Sequence, residues 1–331
     1  MTTIYDPKHP LYLDEADTRK EMERVFDLCH GCRLCFKFCP SFPTLFSYVD
    51  QHDDQDAGKM TPAQQDHVVD ECFQCKLCYV MCPYIPELHE WALDFPRLML
   101  RADANIGKDL VKVYEHNGIE CSIAGDAGCC GAPFLHSGDI DSFTKVAVRN
   151  VKMLADEVRS GNDIVVPQPT CSYVLKKDYV DYVGGPDAKL VSEHTFDAAE
   201  YLVKLHKTEG SSLDTEFTGT IPETVTYHTP CHLRAQNIGL KSRDLMKLTG
   251  AKIKLVQQCS GIDGMWGLRA ENAHLSLPIG EKLGQMVKDA GGDVVAGDCH
   301  LANTAINEQT GTKPVHPLQM IARAYGIPEE N

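Results

Sequence analysis

The sequence lacks any apolar stretch long enough to cross a membrane, and its first residues lack the apolar segment of a secretion signal. A membrane-spanning helix needs about 18 or more largely apolar residues, whereas this N-terminus is polar and acidic. A signal peptide would instead place an apolar run after a basic start. We therefore expect a cytoplasmic protein without a transmembrane segment. The alternative location is peripheral, on the inner face of a membrane complex.

Basic residues are scarce relative to acidic ones: 32 Lys and Arg stand against 47 Asp and Glu, a formal net charge of −15. Such a chain repels phosphate backbones, so we expect no nucleic-acid partner. A Gly-rich dinucleotide loop is also missing, because the segment GIDGMWG lacks the strand–loop–helix order and the acidic residue that follows such loops. The sequence therefore shows no flavin or nicotinamide site of its own.

Cysteine, in contrast, is abundant, with 15 residues in 331. An odd number of cysteines in a chain of cytosolic character indicates metal or redox chemistry rather than disulfides. Two short segments read C-x2-C-x2-C-x3-C-P, the spacing of bacterial ferredoxins. The first contains Cys29, Cys32, Cys35 and Cys39, and the second contains Cys72, Cys75, Cys78 and Cys82.

This spacing predicts two [4Fe–4S] clusters with crossed ligation, because the fourth cysteine of each such motif binds the other cluster. The first cluster then takes Cys29, Cys32, Cys35 and Cys82, and the second takes Cys72, Cys75, Cys78 and Cys39. A pair of zinc sites is the alternative. Zinc sites usually present cysteines in pairs separated by a longer loop, so the spacing favours clusters.

Hydrophobic periodicity predicts helices and strands along the rest of the chain. A helix over 17–28, with Asp17 as its N-cap, leads into the first cysteine motif. A second helix carries Phe143 to Val158 on one face and precedes a strand at 163–167. A third helix ends at Gly291 and precedes a strand at 293–296.

The last two helix–strand passages form an internal repeat. Gly131 pairs with Gly261 in a Gly-rich cysteine loop, and Cys171 pairs with Cys299 just after a strand. Alternating elements of this kind indicate an α/β sheet in each half, and ligands gather at the C-terminal ends of such strands. The sequence thus predicts an α+β multidomain protein: a helical dicluster ferredoxin module at 1–104, and α/β repeats at 105–212 and 213–331.

Seven cysteines lie outside the ferredoxin motifs. Cys121, in the strand-like IECSI, is expected to be a small buried hydrophobic residue. The six others are candidate ligands of a soft metal, as a third iron–sulfur cluster or a zinc site, or else free thiols. They are Cys129, Cys130 and Cys171 in the first half, and Cys231, Cys259 and Cys299 in the second.

We expect a third site to be built mainly from Cys231, Cys259 and Cys299, with cysteines of the first half nearby. Three thiolates leave one ligand position open. Histidines that flank these cysteines could fill it, although such residues more often donate a hydrogen bond nearby. They are His228, His232, His274 and His300. The fourth ligand is expected to be His232, His300, a cysteine of the first half or an exchangeable molecule.

Two ferredoxin motifs followed by a duplicated cysteine-rich domain resemble the C subunit of anaerobic glycerol-3-phosphate dehydrogenase and related proteins with CCG-type repeats. These include the iron–sulfur subunit of glycolate oxidase and the B subunit of heterodisulfide reductase. The specific segments are CCGAP at 129–133, YHTPCH at 227–232 and CSGIDGMWG at 259–267. The resemblance implies CCG-type α/β repeats and electron transfer from a flavoprotein dehydrogenase to a quinone or another acceptor.

The sequence departs from this family at specific positions. No cysteine precedes the first CCG in the expected context, and the chain is shortened around residues 100–106. In the second half the CCG reads Cys259-Ser260-Gly261, and the expected C-x-x-C ends in Ala302. The five-cysteine sites of heterodisulfide reductase are therefore incomplete in both halves, which argues against heterodisulfide cleavage.

We therefore expect the electron-transfer subunit of an oxidoreductase complex, with no catalytic residue of its own. It would relay electrons between a flavoprotein dehydrogenase or other redox partner and a quinone or other acceptor. The alternative is an enzyme like heterodisulfide reductase that reduces a thiol, disulfide or peroxide-type substrate at the repeat domain. A third interpretation is a binding module stiffened by zinc.

Overall fold

This computed structural model describes residues 9–12, 14–72, 76–106, 108–124, 128–210, 213–264, 266–267 and 269–327, with the side chains at 103–106, 108 and 109 left aside. The chain divides into two compact units, the first ending at Lys108 and the second beginning at Asp109. The second unit contains the Gly-rich cysteine loops of both halves. The domain bounds given above stay predictions. Within the described ranges, no helix is long and apolar enough to span a membrane.

The first unit is helical in its described part. Its helices are α1 Glu15–Cys32, α2 Ser41–Val49, α3 Pro62–Asp70, α4 Leu77–Met81 and α5 Phe95–Ile106, with a 3-10 turn at Ala57–Lys59. One apolar core joins them, centred on buried residues such as Phe26, Phe42 and Leu98. The cysteine motifs lie at the ends of these helices, so this core fixes the positions of the thiols.

The first helix begins earlier than the sequence predicted. Asp14 is the N-cap, and its carboxylate accepts a hydrogen bond from the backbone N–H of Asp17 at 2.8 Å. Asp17 instead lies in the first turn and pairs with the buried guanidinium of Arg101 at 2.7 Å. The predicted cap at Asp17 is therefore wrong: Asp14 supplies the acceptor that the exposed N–H groups of the first turn require.

The second unit alternates helices with short parallel strands. The helices are α6 Lys108–His116, α7 Ala132–Ser137, α8 Ile140–Arg159, α9 Pro169–Tyr173, α10 Tyr179–Tyr182, α11 Gly185–Glu193, α12 Ala198–Lys207, α13 Cys231–Ala235, α14 Lys241–Lys247, α15 Ala273–Ala290, α16 His300–Thr310 and α17 Pro317–Tyr325. A π-helical turn at Val174–Asp178 joins α9 to α10, and a 3-10 turn at Ala270–Asn272 precedes α15. The strands are β1 Ile164–Val166, β2 Thr195–Asp197, β3 Thr224–His228, β4 Lys252–Val256 and β5 Val294–Gly297.

The described strands form one parallel sheet in each half. β1 pairs with β2, and the second sheet has the order β4-β3-β5 with β3 in the centre. In the second sheet His228 is level with Val256 and with Gly297. Parallel strands need crossover connections, which the helices supply, and the C-terminal ends of all three strands therefore meet at one edge.

The predicted helices at 143–158 and 279–290 correspond to α8 and α15, and the predicted strands correspond to β1 and β5. Gly291 ends α15 with a φ of 55°. The strand expected around Cys121 is wrong. Residues 119–124 pair with no strand, and the N–H of Ile119 instead bonds to the carbonyl of Tyr114 to close the end of α6. Cys121 packs partly buried against an apolar cluster, as a small hydrophobic residue does.

Candidate metal centres

The first cysteine motif begins inside a helix and leaves it at a left-handed residue. Cys29 and Cys32 lie in the last turn of α1, and Arg33 follows with a φ of 52°. The N–H of Arg33 bonds to the carbonyl of Cys29 at 2.8 Å, which closes the helix. The chain then turns through Cys35 and Cys39 before Pro40 precedes α2.

The second motif also has a left-handed residue after its second cysteine. Lys76, which follows Cys75 as Arg33 follows Cys32, has a φ of 61° and precedes α4. A positive φ is uncommon for residues with a Cβ, so its recurrence at the same motif position is a local feature that the two motifs share. Cys78 lies in α4 and Cys82 follows it. Cys75 lies outside the described residues.

Thiols of both motifs lie in one neighbourhood. Burial raises the pKa of Cys29 well above its usual range, and the thiols of Cys35, Cys82, Cys78 and Cys32 raise it further, in that order. Burial also raises the pKa of Cys35 to about 12, with Cys82 the next cause. Cys82 of the second motif is therefore within electrostatic reach of Cys29, Cys35 and Cys32 of the first motif.

This donor set fits an iron–sulfur cluster. Thiols that raise each other's pKa are protonated at neutral pH, and a bound cationic centre would take up their thiolates with release of protons. Sulfur is the ligand that iron–sulfur clusters select. The two cysteine segments also contain Arg33, Lys37 and Lys76 and no acidic residue. These cations offset the negative charge that several thiolates bring together.

In the first half of the second unit, three predicted ligands lie together. The thiol of Cys130 donates a hydrogen bond to the sulfur of Cys171 at 3.2 Å. Cys129 precedes Cys130 in the same loop. This S–H donation lowers the pKa of Cys171 despite its burial. The pKa of Cys130 is raised to about 12: a hydrogen bond with Cys129 lowers it, but the bond to Cys171 and burial together outweigh that effect.

Two buried residues that the sequence analysis missed hold this loop. The Asn150 amide donates to the carbonyl of Cys129 at 2.9 Å, and its oxygen accepts from the N–H of Gly128 at 3.2 Å. The hydroxyl of Tyr179 donates to the carbonyl of Cys130 at 3.0 Å and accepts from Asn150. Asn150 is a polar residue on the buried, otherwise apolar face of α8. This break in the apolar pattern was the signal in the sequence that could have identified it as a residue that holds the loop.

The Gly-rich loops of the two halves have the same local geometry. Gly131 and Gly261 have φ values of 91° and 81°. The N–H of Gly131 bonds to the sulfur of Cys129 at 3.5 Å, and the N–H of Gly261 bonds to the sulfur of Cys259 at 3.4 Å. The pairing of the two glycines inferred from the sequence therefore corresponds to a shared turn.

In the second half, cysteines follow the ends of the three parallel strands. Cys231 opens α13 after β3, Cys259 follows β4, and Cys299 is the N-cap of α16 after β5. Burial raises the pKa of Cys299, and the nearby thiol of Cys231 contributes to the increase.

Cysteine-bearing segments of the two halves approach each other. Cys171 lies within electrostatic reach of Cys299. The N–H of His300 donates to the side-chain oxygen of Gln168 at 3.3 Å, and Thr170 bonds to His232 at 3.1 Å. Across the described ranges, no three His, Cys, Asp or Glu side chains are arranged around one shared metal ion. The ligand sets of the two clusters and of the third metal site therefore stay predictions.

Comparison with known proteins identifies the class. Residues 21–83 match the 4Fe-4S dicluster domain, and residues 97–176 and 225–306 match the Cysteine-rich domain named CCG. The chain is therefore an iron–sulfur protein in which a dicluster ferredoxin domain precedes two CCG domains. This confirms the predicted fold class and the predicted resemblance.

The chain is homologous to the C subunit of anaerobic glycerol-3-phosphate dehydrogenase of Escherichia coli, with 29% identity over 222 residues, 66% of this chain and 55% of the relative. The B subunit of fumarate reductase (CoM/CoB) of Methanothermobacter marburgensis is 25% identical over 67% of this chain and 43% of its own length. Lactate utilization protein A of Bacillus pumilus is 26% identical over 59% of this chain and 81% of its own length. The chain thus spans about half the length of the first two relatives, whose names describe subunits of a dehydrogenase and a reductase.

Proposed function

We propose that this protein relays electrons between a flavoprotein dehydrogenase-type partner and a quinone or other acceptor, through two [4Fe–4S] clusters. The observation that supports the proposal is that Cys82 lies within electrostatic reach of Cys29, Cys32 and Cys35. Crossed ligation requires this arrangement, because the fourth cysteine of one motif must reach the cluster of the other. By symmetry Cys39 binds the second cluster with Cys72, Cys75 and Cys78.

The flavoprotein partner follows from chemistry that this chain lacks. Dehydrogenation of an organic substrate removes two electrons at once, whereas an iron–sulfur cluster carries one. A flavin separates the two transfers, and the sequence has no site for one. The dehydrogenase and reductase subunits among the relatives support the same assignment. We place the protein in the cytoplasm, or at the inner face of a membrane when its acceptor is a quinone.

We also assign a third metal centre, a cluster or a zinc ion, to the second unit. Cys231, Cys259 and Cys299 form its main ligand set, because they leave one edge of a parallel sheet on three neighbouring strands. Cys129, Cys130 and Cys171 lie on the adjoining half, where the approach of Cys171 to Cys299 supports a shared site.

Metal analysis and paramagnetic resonance test the relay. The purified anaerobic protein should contain about 8 iron and 8 sulfide per chain in the first unit, plus any metal of the second. Stepwise reduction should reveal two magnetically interacting clusters, and reduced flavin should reduce both without added enzyme. A protein with zinc in place of iron, or with a single cluster, would contradict the proposal.

The contact between Cys130 and Cys171 favours a second candidate, an oxidoreductase that reduces a disulfide or peroxide-type substrate in the second unit. Reduced protein should then reduce one equivalent of such a substrate without a partner, with oxidation of the Cys130 and Cys171 thiols to a disulfide, and should turn over repeatedly only while an added thiol reductant restores the two thiols. A Cys171→Ala variant should lose that turnover and keep both clusters. The relay predicts no such turnover in either protein.

A further inference from the structure

The short helix α4 exposes an apolar face at the surface of the first unit. Leu77, Val80 and Met81 are 51%, 75% and 55% exposed, and their spacing places them on one side of the helix. Tyr79 lies on the opposite side, where its hydroxyl donates a hydrogen bond to Glu87 at 2.7 Å. A surface helix normally turns its apolar side toward the core, whereas α4 turns this side outward.

The loop of the first motif adds to this exposed apolar region. Leu34 and Phe36 are each about half exposed, and Leu34 stands between the second and third cysteines of its motif as the first leucine of α4 does. Cys82, directly after α4, is within electrostatic reach of Cys32 and Cys35, which flank Leu34. The loop and the end of α4 are therefore neighbours. We define the motif surface as the side chains of Leu34, Phe36, Leu77, Val80 and Met81.

The motif surface lies beside the predicted ligands of both clusters. Cys78, inside α4, is assigned to the second cluster, and Cys82, directly after α4, is assigned to the first. Cys32, a predicted ligand of the first cluster, is exposed. Electron transfer between proteins slows steeply with the distance between the redox centres, so a redox partner has to dock where the clusters come near the surface.

The rim of the motif surface is basic, although the chain as a whole has a formal net charge of −15. Lys37 and Lys76 are exposed and adjoin residues of the motif surface in the chain. Lys76 is also within electrostatic reach of Asp94, which is buried, and Arg33 is paired with Asp50. The two motif segments contain no acidic residue. The complementary partner surface is therefore apolar at its centre and carries carboxylates at its rim.

We propose that the motif surface docks the electron donor, a flavoprotein subunit that presents an apolar patch ringed by carboxylates. The inference rests on the relay proposed above and names the part of this chain to which the donor binds. Burial of the apolar side chains supplies affinity, and the pairing of carboxylates with Lys37 and Lys76 sets orientation and association rate. A lipid surface fits less well, because basic segments that recognise anionic lipids contain about 4–8 Lys and Arg.

The test compares two electron donors by stopped-flow reduction of the clusters. Flavodoxin hydroquinone, an acidic protein with a bound flavin, has to dock, whereas free reduced riboflavin needs no docking surface. Val80→Glu puts a carboxylate at the centre of the motif surface. The second-order rate constant with flavodoxin should fall about tenfold or more, because like charges oppose docking, and the rate constant with riboflavin should not change. The matched control Val148→Glu, at an exposed valine of α8, should change neither rate constant.

The dependence on salt tests the basic rim in the parent protein itself. Added salt should slow reduction by flavodoxin, since it screens the charges that steer association. The double variant Lys37→Gln and Lys76→Gln should be slower at low salt and less sensitive to salt. A flavodoxin rate constant that is independent of salt in the parent protein would overturn the inference, whatever the variants do.

Other results would also overturn the inference. One is an unchanged flavodoxin rate constant in Val80→Glu, and another is an equal loss with both donors, which would show that the clusters themselves had changed. Binding of the parent protein to vesicles of equimolar phosphatidylcholine and phosphatidylglycerol, lost in Val80→Glu, would identify a membrane as the occupant. A dimer that Val80→Glu dissociates, measured by light scattering, would identify a second copy of the chain. Each of these results leaves the relay standing. Failure of reduced riboflavin to reduce either cluster in the parent protein would refute the relay instead.

Discussion

The two units present cysteines in different ways. In the first unit, the four cysteines of each motif lie within eleven residues, and Arg33 and its counterpart Lys76 both have a positive φ. In the second unit, Cys171, Cys231 and Cys299 each follow a different strand. A site of the first kind depends on local chain geometry, and a site of the second kind depends on strands that must first pair.

The pKa values of the cysteine thiols also shift differently in the two units. Around Cys29, burial and then the neighbouring thiols of both motifs raise the pKa, so several thiols interact electrostatically with one another. In the second unit, Cys130 donates to Cys171, and this lowers the pKa of Cys171. Thiols that interact mutually suit a cluster with several equivalent ligands. In the pair of Cys130 and Cys171, by contrast, one thiol donates a hydrogen bond and the other accepts it.

The largest effect should come from the fourth cysteines of the ferredoxin motifs. Cys82→Ala should damage the cluster held by Cys29, Cys32 and Cys35, despite their separation in sequence. Cys39→Ala should damage the other cluster. Each variant should lose about 4 iron per chain, measured by metal analysis together with the spectrum of the remaining cluster.

The control for this pair is Cys121→Ala, which changes a cysteine outside both motifs and should keep all the iron. Loss of the same cluster in Cys39→Ala as in a Cys29→Ala variant would contradict crossed ligation. Each ferredoxin motif would then supply all four ligands of its own cluster.

The Gly-rich loops of the second unit should be the next most sensitive positions. A Cβ at Gly261 would collide with the carbonyl oxygen of Ser276, and a Cβ at Gly131 would lie 2.8 Å from the ring of Phe143. Both glycines have positive φ. We expect Gly261→Ala to lower the free energy of unfolding by about 3–4 kcal/mol and Gly131→Ala by about 2–3 kcal/mol, because a ring yields more easily than backbone.

Denaturant unfolding followed by circular dichroism measures both losses. The matched control is Gly311→Ala, where φ is 72° and no atom lies within 4 Å of the added Cβ. It should cost only the left-handed backbone penalty of about 1–2 kcal/mol. Equal losses in all three variants would show that close packing at the cysteine loops is unimportant.

Asn150→Ala should have a smaller effect that is specific to the first half. It leaves the carbonyl of Cys129 and the N–H of Gly128 without their partner. The expected loss is about 2–3 kcal/mol, since buried groups are left unsatisfied. Asn162→Ala, at an exposed position, should stay within about 0.5 kcal/mol of the parent. A similar small change in Asn150→Ala would mean that the loop is held by other contacts.

The smallest predicted effect concerns the start of α1. Asp14→Ala should lower the free energy of unfolding by about 1 kcal/mol, because the N–H of Asp17 loses its acceptor. Asp14→Ser should restore most of this loss, since serine is also a good N-cap. Thermal unfolding of the three proteins measures the difference. If Asp14→Ala has no effect, the capping assignment is wrong.

The sequence predicted the features that depend on neighbours within a few residues. The two ferredoxin motifs are recognisable because thiol spacing and the following proline are local. The helices α8 and α15 are recognisable because their apolar residues recur with the helical period. The equivalence of Gly131 and Gly261 is recognisable because both lie in similar short segments. The cap was misplaced because Asp14 and Asp17 both offer a carboxylate near the helix start, and only the hydrogen bond distinguishes them.

The sequence by itself thus determined the class of ligand, the number of cysteine groups and the order of helices and strands. Only the tertiary structure decided which groups meet. It brought Cys82 within electrostatic reach of Cys29, Cys32 and Cys35, and it brought Cys130 against Cys171. The reason is physical. Spacing constrains atoms along a short piece of chain, whereas strand register and core packing fix the positions of residues that are far apart in sequence.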